Sequence, residues 1–249
     1  PGIDAVTCRH EAGAGFMAVA DARLSGRPGV ALVSRGPGAT NAAIAVHTAQ
    51  QDAIPLILIV GQVPRADLRR EAFQEIDYRR MYGTIAKWVF EATEPAQLAE
   101  AAFKAIRLAT SGTPGPVLLV IPEDMQQQQV AQPRWRAAEH SSTRPDAATL
   151  LELQRRIEAA ERPLIVAGGG FEPPGGREAL AALAEAWQIP VALSFRRHDV
   201  FSNLHPLYAG ELGLANPPHQ IDAFRQSDLI LALGTRFGDV TSQGYSFPD

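Results

Sequence analysis

Short apolar runs of strand length alternate with segments of helical spacing from one end of the sequence to the other, and that alternation leaves few folds open. Parallel strands must be joined by crossovers, so such a chain builds α/β parallel sheets with helices laid on both faces. Strands are predicted at residues 5–9, 29–34, 55–60, 117–121, 163–167, 190–194 and 229–233, and helices at 11–24, 39–50, 94–110, 147–160, 176–187 and 218–226. Residues 55–60 are apolar throughout, the pattern of a strand buried on both faces. Between 64 and 87 charged residues such as Arg69, Arg70, Arg79 and Arg80 break any period, and a loop with short helices is expected.

A length of 249 residues accommodates two modest cores. The four glutamines at 126–129, then Pro133, Ser141, Ser142 and Pro145, mark an interdomain linker over residues 123–145, which leaves domains at 1–122 and 146–249. With 46% apolar residues, 20% charged residues and a net charge of -4, the composition is that of a soluble globular protein and argues against nucleic acid as a partner. No apolar run approaches the roughly 20 residues of a membrane span. The single cysteine, Cys8, forms no internal disulfide, which favours a reducing, cytoplasmic setting. Neither end closes an element, so the segment is expected to be an interior piece of a longer polypeptide.

Three polar features follow predicted strands, where open α/β sheets place their ligands. Glu11, in His10-Glu11-Ala12-Gly13-Ala14-Gly15, puts a carboxylate where a strand turns into a helix. On position alone, a first-turn acid that complements the helix dipole explains it as well. Arg35-Gly36-Pro37-Gly38-Ala39-Thr40-Asn41 forms a second strand-to-helix turn, without the lysine of a Walker loop. Gln62 follows the buried strand in Gly61-Gln62-Val63. In the second half, Gly168-Gly169-Gly170 and Gly234-Thr235-Arg236 are further post-strand turns, consistent with phosphate binding or with plain turn chemistry. His198, His205 and His219 have no partner at metal-ligand spacing, and Trp88, Trp135 and Trp187 read as core or domain-contact residues. A rival use of the first stretch is a dinucleotide fingerprint: Gly13, Gly15 and Ala18 fit G-x-G-x-x-A, with Arg35 placed to meet a 2'-phosphate of NADP. The glycines fall inside the predicted helix, which counts against it.

The order of motifs resembles one family, the thiamine-diphosphate enzymes of the acetolactate synthase type. The residues that carry the resemblance are Arg9 through Ala14, Gly36 through Asn41, Gly61-Gln62-Val63, Ala72-Phe73-Gln74-Glu75, Lys87-Trp88 and Ala109 through Val117. The resemblance implies a pyrimidine-binding domain in the first half and part of a central domain in the second. It implies that Glu11 shares a proton with N1' of the cofactor's aminopyrimidine, for which a partly buried carboxyl of raised pKa would suit. Pro37 and Asn41 would line the cofactor pocket, and Gln62 would face cofactor or substrate. It further implies a 2-oxo acid substrate, C-C ligation or cleavage of the kind used in branched-chain amino acid biosynthesis, and a homodimer or homotetramer. Mg2+ would be held by a C-terminal domain, since the sequence contains no Gly-Asp-Gly, and this stretch alone is expected to be inactive. FAD across the central domain is implied through Gly168, Gly169, Gly170 and Arg236; Glu211 through Leu214 and Gly238-Asp239-Val240 depart from the family's pattern there. Arg35, where the synthases usually carry Ser, points to a substrate other than pyruvate. A non-catalytic relative acting as an assembly module is the other open reading.

Overall fold

The computed structural model describes residues 2–131 and 144–248. The chain forms two compact units, Pro1–Glu139 and His140–Asp249. The predicted linker residues Pro133, Ser141 and Ser142, together with Trp135, lie outside the described residues.

In the first unit, helix α1 (Glu11–Ser25) ends at Gly26, whose φ of 68° gives the left-handed cap that glycine adopts freely. Strand β1 (Gly29–Ser34) and helix α2 (Arg35–Gln51) follow, then β2 (Leu56–Gln62), a short helix α3 (Tyr78–Tyr82), β3 (Trp88–Glu91), α4 (Gln97–Thr110) and β4 (Pro116–Pro122). The four strands pair in parallel in the order β1-β2-β4-β3. Strand β2 loads both faces. Leu56, Leu58 and Val60 pack with Ala18, Ala22, Ala42 and Val46 of α1 and α2. Ile57 packs on the opposite side with Ala101, Ala105 and Ala109 of α4.

The second unit repeats the scheme. Helix α5 (Ala147–Ala159), capped by Asp146, leads to β5 (Pro163–Ala167), α6 (Gly176–Trp187), β6 (Val191–Ser194), β7 (Tyr208–Leu212), α7 (Pro218–Arg225) and β8 (Leu229–Leu233). Its parallel sheet runs β7-β6-β5-β8. One face packs Ile165, Val191 and Leu193 on Leu180 and Ala184, and the other packs Leu164, Val166 and Ala192 on Ile221, Phe224 and Phe247. Two parallel sheets with helices on both faces are therefore the architecture, as the alternation implies.

Four expectations are corrected. Residues 5–9 form no strand; they are mostly exposed, and no strand among the described residues pairs with them. Gly36-Pro37-Gly38 is no free turn but the first turn of α2. Pro37 fits there because the first N-H groups of a helix have no intrahelical acceptor to lose. Strand β3 is a four-residue edge strand, half-buried throughout, in the short stretch between the expected loop and helix 94–110 where no strand is predicted. Strand β7 runs through what reads as a long loop, because Gly210 at φ 105° and a register shift opposite Val191 and Ala192 hide its alternation.

Candidate cofactor and catalytic site

The carboxylate of Glu11 stands in the first turn of α1, behind a cap in which His10 Nδ1 accepts the Ala12 N-H at 3.1 Å. Helices α1 and α2 start side by side. Gly15 lies one turn beyond Glu11 and Ala45 one turn beyond Asn41, and a methyl on Gly15 would sit 2.5 Å from the Ala45 Cβ. That close approach brings Asn41 Nδ2 to within 2.9 Å of Glu11 Oε2, to which it donates. Beneath Oε1 lies Gly38: a Cβ there would come within 3.6 Å of that oxygen. Pro37 is exposed one residue away on the same turn.

The arrangement suits an aminopyrimidine ring. One carboxylate oxygen is anchored by a neutral amide, the other rests over a bare Cα, and Pro37 offers an apolar surface beside them. The expected raised pKa is not found. The Asn41 amide, Glu11's own backbone N-H and nearby His10 hold the carboxyl below its ordinary range, outweighing the smaller opposing effect of burial. An acid at an open helix N-terminus behaves this way until something covers it.

Gln62 does not join this pair. It is 1% exposed, and its amide is fully engaged elsewhere. Oε1 accepts the Val63 N-H at 3.0 Å, and Nε2 donates to Ile76 O at 3.3 Å and to Glu91 Oε1 at 3.2 Å. Gln62 therefore faces the protein, and the expectation that it faces cofactor or substrate is corrected. The cause is long-range: residues 72–76 fold over the strand ends and enclose it. Arg35 Nη1 donates to Phe73 O at 3.2 Å, Gly36 N donates to Gln74 O at 2.9 Å, and Glu75 accepts the N-H groups of Arg69 and Ala72 at 2.7 and 3.3 Å. Gly36 has no room for a side chain, since a Cβ would lie 2.6 Å from Ile76 Cγ1.

The rim is laced by ion pairs that sequence reading missed. Arg35 Nη2 meets Glu123 Oε2 at 2.8 Å, and Arg65 Nε meets Asp124 Oδ2 at 2.8 Å. The Arg65 backbone and side chain hold the Asp124 carboxyl below its ordinary range. Arg35 is thus already matched with a carboxylate, and Gly15 serves helix packing. The NADP reading built on Gly13, Gly15 and Arg35 loses both of its supports. Tyr78, 3% exposed, has a hydroxyl without a hydrogen-bond partner. Burial, with Glu91 and Glu75 nearby against the opposing Arg35, pushes its phenol up to about 12.

In the second unit, Gly168 and Gly170 let the turn after β5 press against the turn after β8. Cβ atoms there would lie 2.4 Å from Gly234 O and 2.6 Å from Gly234 Cα. Their N-H groups donate to Leu233 O and Gly234 O. Gly169 lies against the Arg197 guanidinium, where a Cβ would meet Nε at 2.7 Å. The triplet is closed on the protein itself, which does not fit a phosphate cradle for FAD. Arg236 is exposed two residues beyond Gly234. Among the described residues, no three His, Cys, Asp or Glu side chains are arranged for a metal ion, and no helix is long and apolar enough to cross a membrane.

Two family models match the chain. The family model described as "Thiamine pyrophosphate enzyme, N-terminal TPP binding domain" matches residues 1–81, which include Glu11, Pro37 and Asn41. "Thiamine pyrophosphate enzyme, central domain" matches residues 150–249. The chain is 34% identical over 242 residues to an acetolactate synthase large subunit of Corynebacterium glutamicum, covering 94% of this chain and 38% of that protein. It is 35% identical over 242 residues to the acetolactate synthase isozyme 1 large subunit of Escherichia coli, covering 94% and 42%. Against a probable chloroplastic acetolactate synthase 2 of Oryza sativa subsp. japonica it is 38% identical over 238 residues, covering 93% and 35%. The chain spans roughly two fifths of the length of the curated relatives it matches. Its motif order, its paired parallel-sheet units and these matches together place the chain in the thiamine pyrophosphate enzyme family, as an acetolactate synthase-like member.

Proposed function

We propose that the protein is a thiamine-diphosphate-dependent transferase or lyase that decarboxylates a 2-oxo acid and makes or breaks a C-C bond. The observation that carries the reading is the Glu11 carboxylate, anchored by Asn41 and set over bare Gly38, within the stretch that matches a TPP-binding domain. Thiamine diphosphate, when bound, supplies a carbon nucleophile for addition to the substrate carbonyl. Glu11 would hold and return a proton at a carboxylate oxygen facing the aminopyrimidine, which is general acid-base work. Asn41 keeps that carboxylate in one orientation, and Pro37 and Gly38 shape the surface against the ring. Glu11 would be desolvated where the cofactor's ring covers it, which would oppose the downward shift that Asn41 imposes.

The relatives' printed name, acetolactate synthase, is what supports a 2-oxo acid substrate and a place in branched-chain amino acid biosynthesis; a cytoplasmic setting is part of the same reading and rests on the single cysteine, Cys8. A homo-oligomer is part of the same reading. Phe16 and Met17 of α1 and Ile44 of α2 are large apolar side chains left exposed on the two helices that carry Glu11 and Asn41. Exposed apolar side chains grouped in this way mark a surface that a partner covers. No residue of this chain is assigned to Mg2+, and the closed glycine turn leaves FAD out of the proposal.

The test is Glu11→Gln in the whole protein, read as exchange of the cofactor's C2 proton for deuterium by quenched-flow NMR. Loss of a positioned general acid-base predicts a fall of roughly a hundredfold or more. Exchange at the wild-type rate removes Glu11 from the mechanism.

A further inference from the structure

Residues 72–76 are fixed to the sheet rim by three anchors, one from the end of β2 and two from the adjacent residues Arg35 and Gly36. Gln62 at the end of β2 holds Ile76 O, Gly36 N holds Gln74 O, and the Arg35 side chain holds Phe73 O. At the crest of this loop Phe73 is 79% exposed, a large apolar side chain on backbone that is otherwise tied down. The loop adjoins the Glu11 cradle through α2: Gly36 packs under Ile76, and Gly38, two residues on, packs against Glu11.

Of the three anchors, Arg35 is the one that reaches farthest. Its guanidinium joins the loop carbonyl to Glu123 at the end of β4, and its side chain is about three-quarters shielded. Its backbone has φ 48°, which a residue with a side chain adopts only when its surroundings enforce it. Arginine is suited to the task because its planar fork serves a carboxylate and a carbonyl at once, which a lysine ammonium does with less geometric constraint.

We propose that Arg35 is a positioning residue: its Phe73-to-Glu123 bridge sets residues 72–76 as a substrate-facing wall beside the Glu11 cradle, so Arg35 governs substrate fit without entering the cofactor's proton chemistry. This rests on the reading of Glu11 as the cofactor-facing acid. Charge-assisted hydrogen bonds of this kind are worth roughly a tenfold change in an equilibrium.

The test uses Arg35→Ala and Arg35→Gly in the whole protein. The glycine variant removes the side chain while adopting the left-handed backbone freely, so it keeps the fold if the alanine variant does not. Three quantities are read: backbone amide exchange of residues 69–76 by mass spectrometry, C2-proton exchange of bound thiamine diphosphate, and KM and kcat over a panel of 2-oxo acids including pyruvate. Expected are amide exchange in 69–76 faster by roughly tenfold, KM raised by roughly tenfold, and C2-proton exchange within twofold of wild type. Arg35→Lys should recover part of the KM change. The proposal is overturned if amide exchange in 69–76 stays at the wild-type rate, if KM does not move, or if C2-proton exchange falls in step with KM. If no acid of the panel is turned over, amide exchange alone decides in the same sense. Glu11→Gln separates the two readings: a normal C2 exchange there defeats the functional reading, whereas a lost exchange beside an unmoved Arg35 variant defeats this inference alone.

Discussion

Replacing Gly15 with alanine tests whether the crossing of α1 and α2 is what assembles the site. An alanine Cβ would stand 2.5 Å from the Ala45 Cβ, whereas carbon atoms rest at about 3.5–4.0 Å, so the helices must part by roughly 1–1.5 Å at the crossing. One turn earlier on both helices, the 2.9 Å bond from Asn41 to Glu11 would open past hydrogen-bond reach, which ends near about 3.5 Å. Overpacking of this kind costs about 1–3 kcal/mol, and the higher helix propensity of alanine offsets about 1 kcal/mol. The net loss is therefore on the order of 1 kcal/mol, a fall of roughly 2–4 °C in melting temperature. C2-proton exchange of bound cofactor should slow by roughly ten- to a hundredfold, the penalty of an acid displaced by about 1 Å. The assay pairs urea unfolding with C2 exchange on Gly15→Ala and on the double variant Gly15→Ala with Ala45→Gly, which restores the missing room and should recover most of both losses. A single variant that gains about 1 kcal/mol and exchanges normally, as at an uncrowded helix position, would refute the reasoning.

Tyr78→Phe removes a buried hydroxyl that has no partner, so chemical denaturation should show a gain of about 1 kcal/mol; a loss would mean that an ordered water completes the group. The Glu152 carboxyl, flanked by Arg155 and Arg156, is held down to about 2 from 4.5. A carboxyl depressed in the fold contributes stability above its unfolded value and loses it as pH falls through its folded value. Glu152→Gln should therefore be less stable than wild type at pH 6, with the difference shrinking below the unfolded value of 4.5 and largely gone once pH has fallen through about 2, as followed by unfolding curves across that window. A difference that persists unchanged at pH 2 would exclude the ion pairs as its source.

Where the sequence is legible, the reason is local. Strands 29–34, 163–167 and 229–233 and helix 176–187 fall where predicted, because β-branched and leucine-rich runs or a helical period are bounded by glycine or proline. Glu11 falls at the start of a helix, as expected, although the strand expected before it does not form, and Asn41 lies within the helix that follows β1. What escapes is set by contacts distant in the chain. Gln62 reads as a rim residue open to ligand, and only the return of residues 72–76 buries it. Arg35 reads as a free cation until Glu123, 88 residues later, arrives beside it. Gly-Pro-Gly carries every mark of a turn, yet a helix can begin there once a left-handed Arg35 redirects the backbone.

Strand β2 divides the first unit into two compartments with unequal tolerance. On the α4 side, Ile57 and its alanine neighbours could be exchanged for other aliphatic shapes, and the sheet would shield the active helices from the adjustment. On the other side, every ångström of change is delivered to the pair of helices whose spacing defines the acid. Engineering for stability is thus best directed to one compartment, because the opposite one fixes the distance between Glu11 and Asn41.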